Sequence, residues 1–371
     1  MISTIIILGV VLSLLVFVHE FGHFVTAKIA KIKVEEFGFG FPPRLFGFKR
    51  GGTVYSINWI PLGGFVRIKG ESGDRSKDRD SFANRSVWVR GVIICAGVFM
   101  NMMLAWFVLT IGYMIGLPQV IDGLPAAARV SDQRVQIYSV LKGSPADAAG
   151  LRSGDVVTAL DGGRLIDTDQ FRDYTSGRAG VPVRLSITRD SQKLDQTVTP
   201  KALAESDRPA IGVSIVEIGL VSYPWYMAPA QGLAATGYFL REILVAFYSL
   251  LRDLFTAQRV TVELSGPVGI AVLTAEVVRM GFRHLLQFTA LLSVNLAVIN
   301  ILPFPALDGG RLFFLIIERV RRRAVSANIE ALVHNLGFAF LMLLVLVITY
   351  QDVVKFGDRI LASFTGIFSV N

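Results

Sequence analysis

From Gly91 to Ile121 the chain runs 31 residues without one Asp, Glu, Lys or Arg, and this stretch constrains the fold more than any other feature. A helix needs about 20 apolar residues to cross a bilayer, so the stretch reads as a membrane span. Three further blocks share its character. Met1 to Val18 is uncharged, with apolar character continuing to Ala27; Leu285 to Leu307 is uncharged; Ala331 to Tyr350 carries only His334. No Lys or Arg precedes the first block and no small-residue cleavage site follows it, so a span is expected rather than a cleaved signal. Composition agrees, with 52% hydrophobic and 18% charged residues against about 25% charged in soluble domains. A wholly cytosolic enzyme is not expected, and a disordered chain is excluded. Cys95, the only cysteine, cannot form an internal disulfide.

Orientation follows from the basic residues. The loop Lys28 to Arg90 holds 13 Lys and Arg in 63 positions, and Arg311 to Glu330 holds five, with Arg321, Arg322 and Arg323 consecutive. Both loops are expected on the cytoplasmic side, which puts Asp122 to Arg283 and both termini outside. The net charge of +8 fits cytoplasmic loops beside anionic lipid, and no nucleic-acid partner is expected. Between Gly232 and Phe255 the only charges are Arg241, Glu242, Arg252 and Asp253. Eleven residues is close to three helical turns, so the two pairs share one face of an otherwise apolar helix. An interfacial helix on the outer leaflet is expected there rather than a fifth span, because an Arg-Glu pair is costly at mid-bilayer.

The first block contains His19-Glu20-Phe21-Gly22-His23. Two His at i and i+4 project from one helical face and can share a tetrahedral zinc, with the intervening Glu placed as a general base. The bland alternative is a pair of satisfied polar residues near a helix end. Three ionisable groups in five residues of an apolar helix are expensive in lipid, which favours zinc. A hydrolytic zinc usually takes three protein ligands, so one more is needed. His284 starts the third span, far from its inner end; His334 lies near the inner end of the fourth. Asp308 ends the run Asn295-Leu-Ala-Val-Ile-Asn300-Ile-Leu-Pro303-Phe-Pro305-Ala-Leu-Asp308-Gly309-Gly310, where two prolines and two glycines make continuous helix improbable. Broken helix at membrane depth is tolerated where it lines a cavity, and Asp308 is the stronger candidate. Its bland alternative is a simple helix stop.

Strand signals appear in two places. Leu45 to Phe48, Gly51-Gly52 and Thr53 to Ile60 read as a hairpin, followed by a polar, solvated loop from Glu71 to Arg85. In the outer segment, Val135 to Val140, Val156 to Leu160, Val183 to Thr188 and Thr197 to Thr199 read as strands, with Ser144-Pro-Ala-Asp-Ala-Ala-Gly-Leu151-Arg-Ser-Gly-Asp155 between the first two. That segment resembles a PDZ domain of the protease-associated type, and the interval has room for one copy.

H-E-x-G-H in a first span together with N-x-x-P-x-P-x-L-D-G in a late one resembles the site-2 intramembrane metalloproteases. Pro61-Leu-Gly-Gly-Phe-Val-Arg is similar to their bacterial, RseP-like branch. The resemblance covers most of the chain. It implies His19, His23 and Asp308 as ligands of one Zn2+ and Glu20 as catalytic base, with Asn295 and Asn300 holding substrate near the metal. It also implies that the hairpin re-enters the membrane and that a strand near Ile60 to Val66, including Gly63, Gly64 and Phe65, pairs with an unwound substrate helix. The best-known relatives carry two PDZ domains, so a two-domain gate is not expected here.

The expected fold is a polytopic α-helical membrane protein with four transmembrane helices, a membrane-associated β-hairpin and one extracytoplasmic PDZ domain. Its segments are a first span (1–28), a cytoplasmic or re-entrant hairpin loop (29–90), a second span (91–121), the periplasmic PDZ domain (122–215), a linker with the amphipathic helix (216–283), a third span (284–310), a basic cytoplasmic loop (311–330), a fourth span (331–350) and a periplasmic tail (351–371). The expected activity is zinc-dependent cleavage of a single-span substrate in a bacterial inner membrane, after an upstream site-1 protease has shortened it, as part of a regulated stress response. An anti-sigma factor is the substrate type the resemblance makes plausible, with remnant signal peptides second. An inert PDZ scaffold and a metal transporter are the rivals, and neither needs Glu20 beside two zinc ligands.

Overall fold

The computed structural model describes residues 2–71, 78–189, 192–202, 209–256, 266–323 and 325–368. In chain order these form helix α1 (Ile2–Ile29), strands β1 (Val34–Arg50) and β2 (Thr53–Ile68), α2 (Val87–Ile115), β3 (Leu117–Val120), β4 (Arg129–Val140), α3 (Pro145–Ala148), β5 (Val156–Leu160), β6 (Gly163–Arg164), α4 (Thr168–Ser176), β7 (Val183–Arg189), β8 (Gln192–Val198), β9 (Val213–Ser222), α5 (Ala228–Phe255), α6 (Pro267–Met280), α7 (Phe282–Ile301), α8 (Asp308–Arg321) and α9 (Ala327–Phe368). They divide into two units, one of Met1–Ile111 with Pro229–Asn371 and one of Gly112–Ala228.

In the helical unit, α1 and α2 approach closely because both are glycine at the crossing. A Cβ on Gly22 would lie 2.4 Å from the Ala96 carbonyl oxygen, and one on Gly97 would lie 2.5 Å from His23 Nε2. Without hydrophobic driving force in lipid, such small-residue contacts are how helices gain packing energy. Five helices are long and apolar enough to cross a membrane by length and composition: those at Thr4–Ile29, Val87–Ile115, Ala228–Phe255, Phe282–Ile301 and Ala327–Gly357. The sequence reading expected four, and α5 is the addition. The expected fourth span and outer tail join into one helix, α9, and much of the basic loop at 311–330 is helix α8.

The hairpin is longer than expected and folds back on itself. Gly38 and Phe39 pair with Ser56 and Ile57 on one side and with Phe65 and Gly64 on the other, while Phe46, Gly47 and Phe48 pair with Ile57, Ser56 and Tyr55. The extended segments therefore lie in the order 44–50, 53–58, 34–39, 64–68, with 64–68 at an edge. That edge docks on α1. Ser13 Oγ donates to the Pro61 carbonyl at 2.8 Å and accepts from Gly63 N–H at 3.1 Å, and the Phe17 ring meets Phe37 and Phe39. Gly63 has φ +75, and a Cβ there would press on Val16 at 3.1 Å, so the close approach needs glycine. Of the expected polar loop at Glu71 to Arg85, residues 72–77 lie outside the described residues.

The second unit is a seven-stranded sheet in the order β3-β9-β4-β5-β7-β8, with β6 on β5. Alternation places Val135, Ile137, Val157, Leu185, Ile187 and Ile215 in one core with Leu151 and Phe171. Asp167 caps α4 by accepting from Gln170 N–H at 2.7 Å. Strands expected at 135–140, 156–160, 183–188 and 197–199 fall on β4, β5, β7 and β8. Strand β9 was not expected. It runs past residue 215, and only its pairing with both β3 and β4 reveals it.

Candidate metal centre

Each side chain of the site is aimed by a local feature of sequence. His19 and His23 sit one turn apart on α1, and both are buried. Asp308 opens α8 immediately after the break at Leu302–Leu307. Gly309 and Gly310 make that break possible, because a Cβ on either would lie within 2.3 Å of the carbonyl oxygens of Ile301, Leu302 or Phe304. Ala306 is in the left-handed region at φ +75, a strained conformation for a residue with a Cβ. Its N–H donates to His334 Nδ1 of α9 at 2.8 Å.

The three side chains converge across 289 residues of sequence. Asp308 Oδ2 lies 2.9 Å from His19 Nε2 and 3.3 Å from His23 Nε2, and the two Nε2 atoms are 3.2 Å apart. One donor atom from each falls within 4.8 Å of the others, a group able to hold a metal ion. Two imidazoles and one carboxylate form a donor set suited to catalytic zinc. The tautomer of His23 fits as well. Its Nδ1 donates to the Ile93 carbonyl at 2.8 Å, and a carbonyl only accepts, so in the neutral ring Nε2 is the nitrogen with a lone pair for the cluster. Asn101 of α2, fully buried, has its side-chain nitrogen 3.3 Å from His19 Nδ1.

Glu20 accepts the Val66 N–H at 3.2 Å through Oε2, so the carboxylate beside the cluster is held by the hairpin edge. Gly64 and Phe65 pair with Phe39 and Gly38, and Gly63 is tied to Ser13. Asn295 and Asn300 lie on α7, partly buried, and neither makes a side-chain hydrogen bond among the described residues. His334, a rival third ligand by sequence, touches the break rather than the cluster, and His284 is likewise outside it. Asn101, Ile93 and Ser13 escaped the sequence reading. An amide in the middle of an uncharged span was the available signal for Asn101; the carbonyl of Ile93 had none.

The model of Peptidase family M50 matches residues 7–344. A protein named zinc metalloprotease RasP from Geobacillus kaustophilus is 34% identical over 419 aligned residues, covering 94% of this chain and 97% of that protein. One named regulator of sigma-W protease RasP from Bacillus subtilis is 30% identical, covering 95% and 98%. Among solved structures, the PDZ domain of an SdrC-like protein from Listeria innocua is 25% identical, covering 22% of this chain and 92% of that one, with a TM-score of 0.21.

Proposed function

We propose, from the premise that this chain belongs to peptidase family M50, the site-2 proteases, and is a zinc metalloprotease, that it cuts the transmembrane segment of a single-span substrate within the bilayer. The convergence of His19 and His23, on the apolar helix Thr4–Ile29, with Asp308, which follows the break after the apolar helix Phe282–Ile301, carries this reading. Zinc held by these three side chains supplies Lewis acidity, polarising a peptide carbonyl and acidifying water. Glu20 is the base: Oε2 takes the proton from the attacking water and returns it to the leaving amide nitrogen. The carboxylate has about four acceptor sites, so it can do this while still accepting the Val66 N–H.

A helical substrate hides its carbonyls in intrahelical bonds, so it must unwind, and its freed backbone groups need partners in a medium without water. The 64–68 edge supplies a row of them beside Glu20, with Gly63, Gly64 and Phe65 at its deep end, and Asn295 and Asn300 offer amides that no other described residue uses. Pro61 and Gly63 lie level with Ser13, about seven residues or roughly 10 Å of helix from Glu20. This supports a hairpin that re-enters the membrane, its polar backbone satisfied by pairing and by Ser13.

Four spans remain our reading, with the site toward the cytoplasmic side and both termini outside. Gly269 N–H at the start of α6 donates to Asp352 of α9 at 2.7 Å, 18 residues or about 27 Å of helix beyond His334, so α6 begins near the outer end of the apolar part of α9, Ala327–Gly357. Helix α5 begins against the outer half of α2, where Trp106 Nε1 donates to the Pro229 carbonyl. Were α5 to cross, Arg241 and Glu242 at its middle would lie near mid-bilayer, where charged side chains are costly. An interfacial α5 avoids this.

The sheet unit we read as a PDZ domain. A cavity of about 330 Å³ lined by Phe171, Arg172 and Thr175 of α4 and by Ile211 to Ile215 is suited to a peptide strand added beside β9. The relative named regulator of sigma-W protease makes an anti-sigma factor, shortened first by a site-1 protease, the preferred substrate, with remnant signal peptides second. The setting is a bacterial inner membrane, with lipid as the other partner. Scaffold and transporter readings leave Glu20 without a purpose. Purified protein in vesicles should cleave a single-span reporter, and Glu20→Gln should lose about 10²–10⁴-fold in rate with zinc content unchanged; equal turnover by the two would defeat the mechanism.

A further inference from the structure

We propose that Asn101 is a positioning residue for the metal centre, its side-chain amide oxygen accepting the Nδ1–H of His19 and thereby turning the Nε2 lone pair of that ring toward Asp308 and His23. The inference rests on the zinc reading above. An imidazole that ligates through Nε2 carries its proton on Nδ1, and that proton needs an acceptor when water is excluded. His23 has one in the Ile93 carbonyl at 2.8 Å. For His19 the group at Nδ1 is Asn101, 3.3 Å away.

Helix α2 presents one face to both rings. Ile93, Gly97 and Asn101 stand at i, i+4 and i+8, so they stack on successive turns. The first offers a carbonyl and the third an amide. Gly97 between them offers no side chain, since a Cβ there would lie 2.7 Å from His19 Cε1. The Asn101 oxygen is buried without a hydrogen-bond partner among the described residues. Its nitrogen and oxygen ends are equal in size, so a half-turn of the amide satisfies that oxygen on the His19 ring without moving the backbone. The backbone is itself pinned, because Ser293 Oγ of α7 donates to the Asn101 carbonyl at 2.8 Å.

The test is a zinc competition titration on the full-length protein in detergent against a chromophoric chelator. Asn101→Leu, which keeps the volume and removes the acceptor, should weaken zinc binding about 10–100-fold and shift the visible bands of the Co2+-substituted protein. Asn101→Asp, which keeps an oxygen at the same place, should restore affinity to within about 3-fold of wild type. A folded Asn101→Leu that binds zinc like wild type, or an Asn101→Asp as weak as Asn101→Leu, overturns the proposal. Should Asn101→Leu not fold, ¹⁵N-histidine spectra of the zinc-loaded wild type decide: a protonated, exchange-protected Nδ1 on His19 supports the role, and ligation through Nδ1 or a freely exchanging proton refutes it. Wild type that binds no zinc sinks the metal reading as well, whereas normal wild-type binding with an indifferent Asn101→Leu sinks the positioning role alone.

Discussion

Asp308 and Asp155 are both carboxylates with little exposure, yet their surroundings differ in kind. Asp155, in the sheet unit, is saturated: Arg189 donates to both its oxygens at 2.7 Å, and Arg152 N–H adds a bond at 2.8 Å. Asp308, in the helical unit, meets two imidazoles whose Nε2 atoms also crowd each other at 3.2 Å. A saturated carboxylate holds structure together; donor atoms of several side chains turned on one point are arranged for something they share. The contrast follows from the two environments. Around the sheet, water remains available to polar groups the fold leaves unpaired. In apolar helices every polar atom must find its partner inside the protein, so a polar cluster there is retained for its chemistry.

Exchanging the two aspartates separates these roles. Asp308→Ala should lower zinc affinity by more than the roughly 10–100-fold that loss of a supporting hydrogen bond costs, as measured by metal analysis after gel filtration, while the sheet unit melts as before. His334→Ala should keep its zinc; the opposite pair of results would move the third ligand to His334. Asp155→Ala should leave zinc content unchanged and destabilise the sheet unit by about 3–5 kcal/mol, because Arg189 is left without its carboxylate, a loss read by limited proteolysis of the full-length protein.

Crowding at the helix crossing gives a smaller effect. Gly97→Ala puts a methyl group where His19 and His23 already stand, and should cost about 1–3 kcal/mol of stability as overpacking together with a measurable weakening of zinc binding. Normal zinc affinity in that variant would show that α2 can retreat without disturbing the rings. The smallest effect belongs to Asp161 in the sheet unit. The Arg184 backbone N–H, then the Tyr174 hydroxyl and the Arg178 charge, hold its carboxyl below the usual carboxylate range. Its stabilising contribution is therefore present above the ordinary carboxylate pKa and is lost as pH falls through the lower folded value. Thermal melts of wild type and Asp161→Asn should differ near neutrality and converge in acid; a constant difference would show that the charge is irrelevant.

Much of the site was readable before any fold was known, because i, i+4 histidines around a glutamate have few uses inside an apolar helix. The third donor was harder. Asp308 competed with His334, and what separates them is the break at Leu302–Leu307, closed by Gly309 and Gly310 and bonded to His334 itself. In the sheet unit, alternation marked strands that fall on β4, β5, β7 and β8, whereas β9, which pairs with β3 and β4 far back along the chain, ran past the expected domain boundary. The hairpin was visible from its Gly51-Gly52 turn, but not its second layer of pairing, since a strand cannot signal that it will be used on both edges.

Taken alone, the order of residues determined which segments suit lipid, which side their flanking charges favour and which side chains are suited to gripping a metal, since these depend on local composition and on helical period. Tertiary structure decided that His19, His23 and Asp308 meet, that Val66 holds Glu20, and that Asn101 and the Ile93 carbonyl face the rings. Those outcomes depend on how closely two helices approach at glycine and on where a broken helix resumes, and neither distance is written in any single stretch of chain.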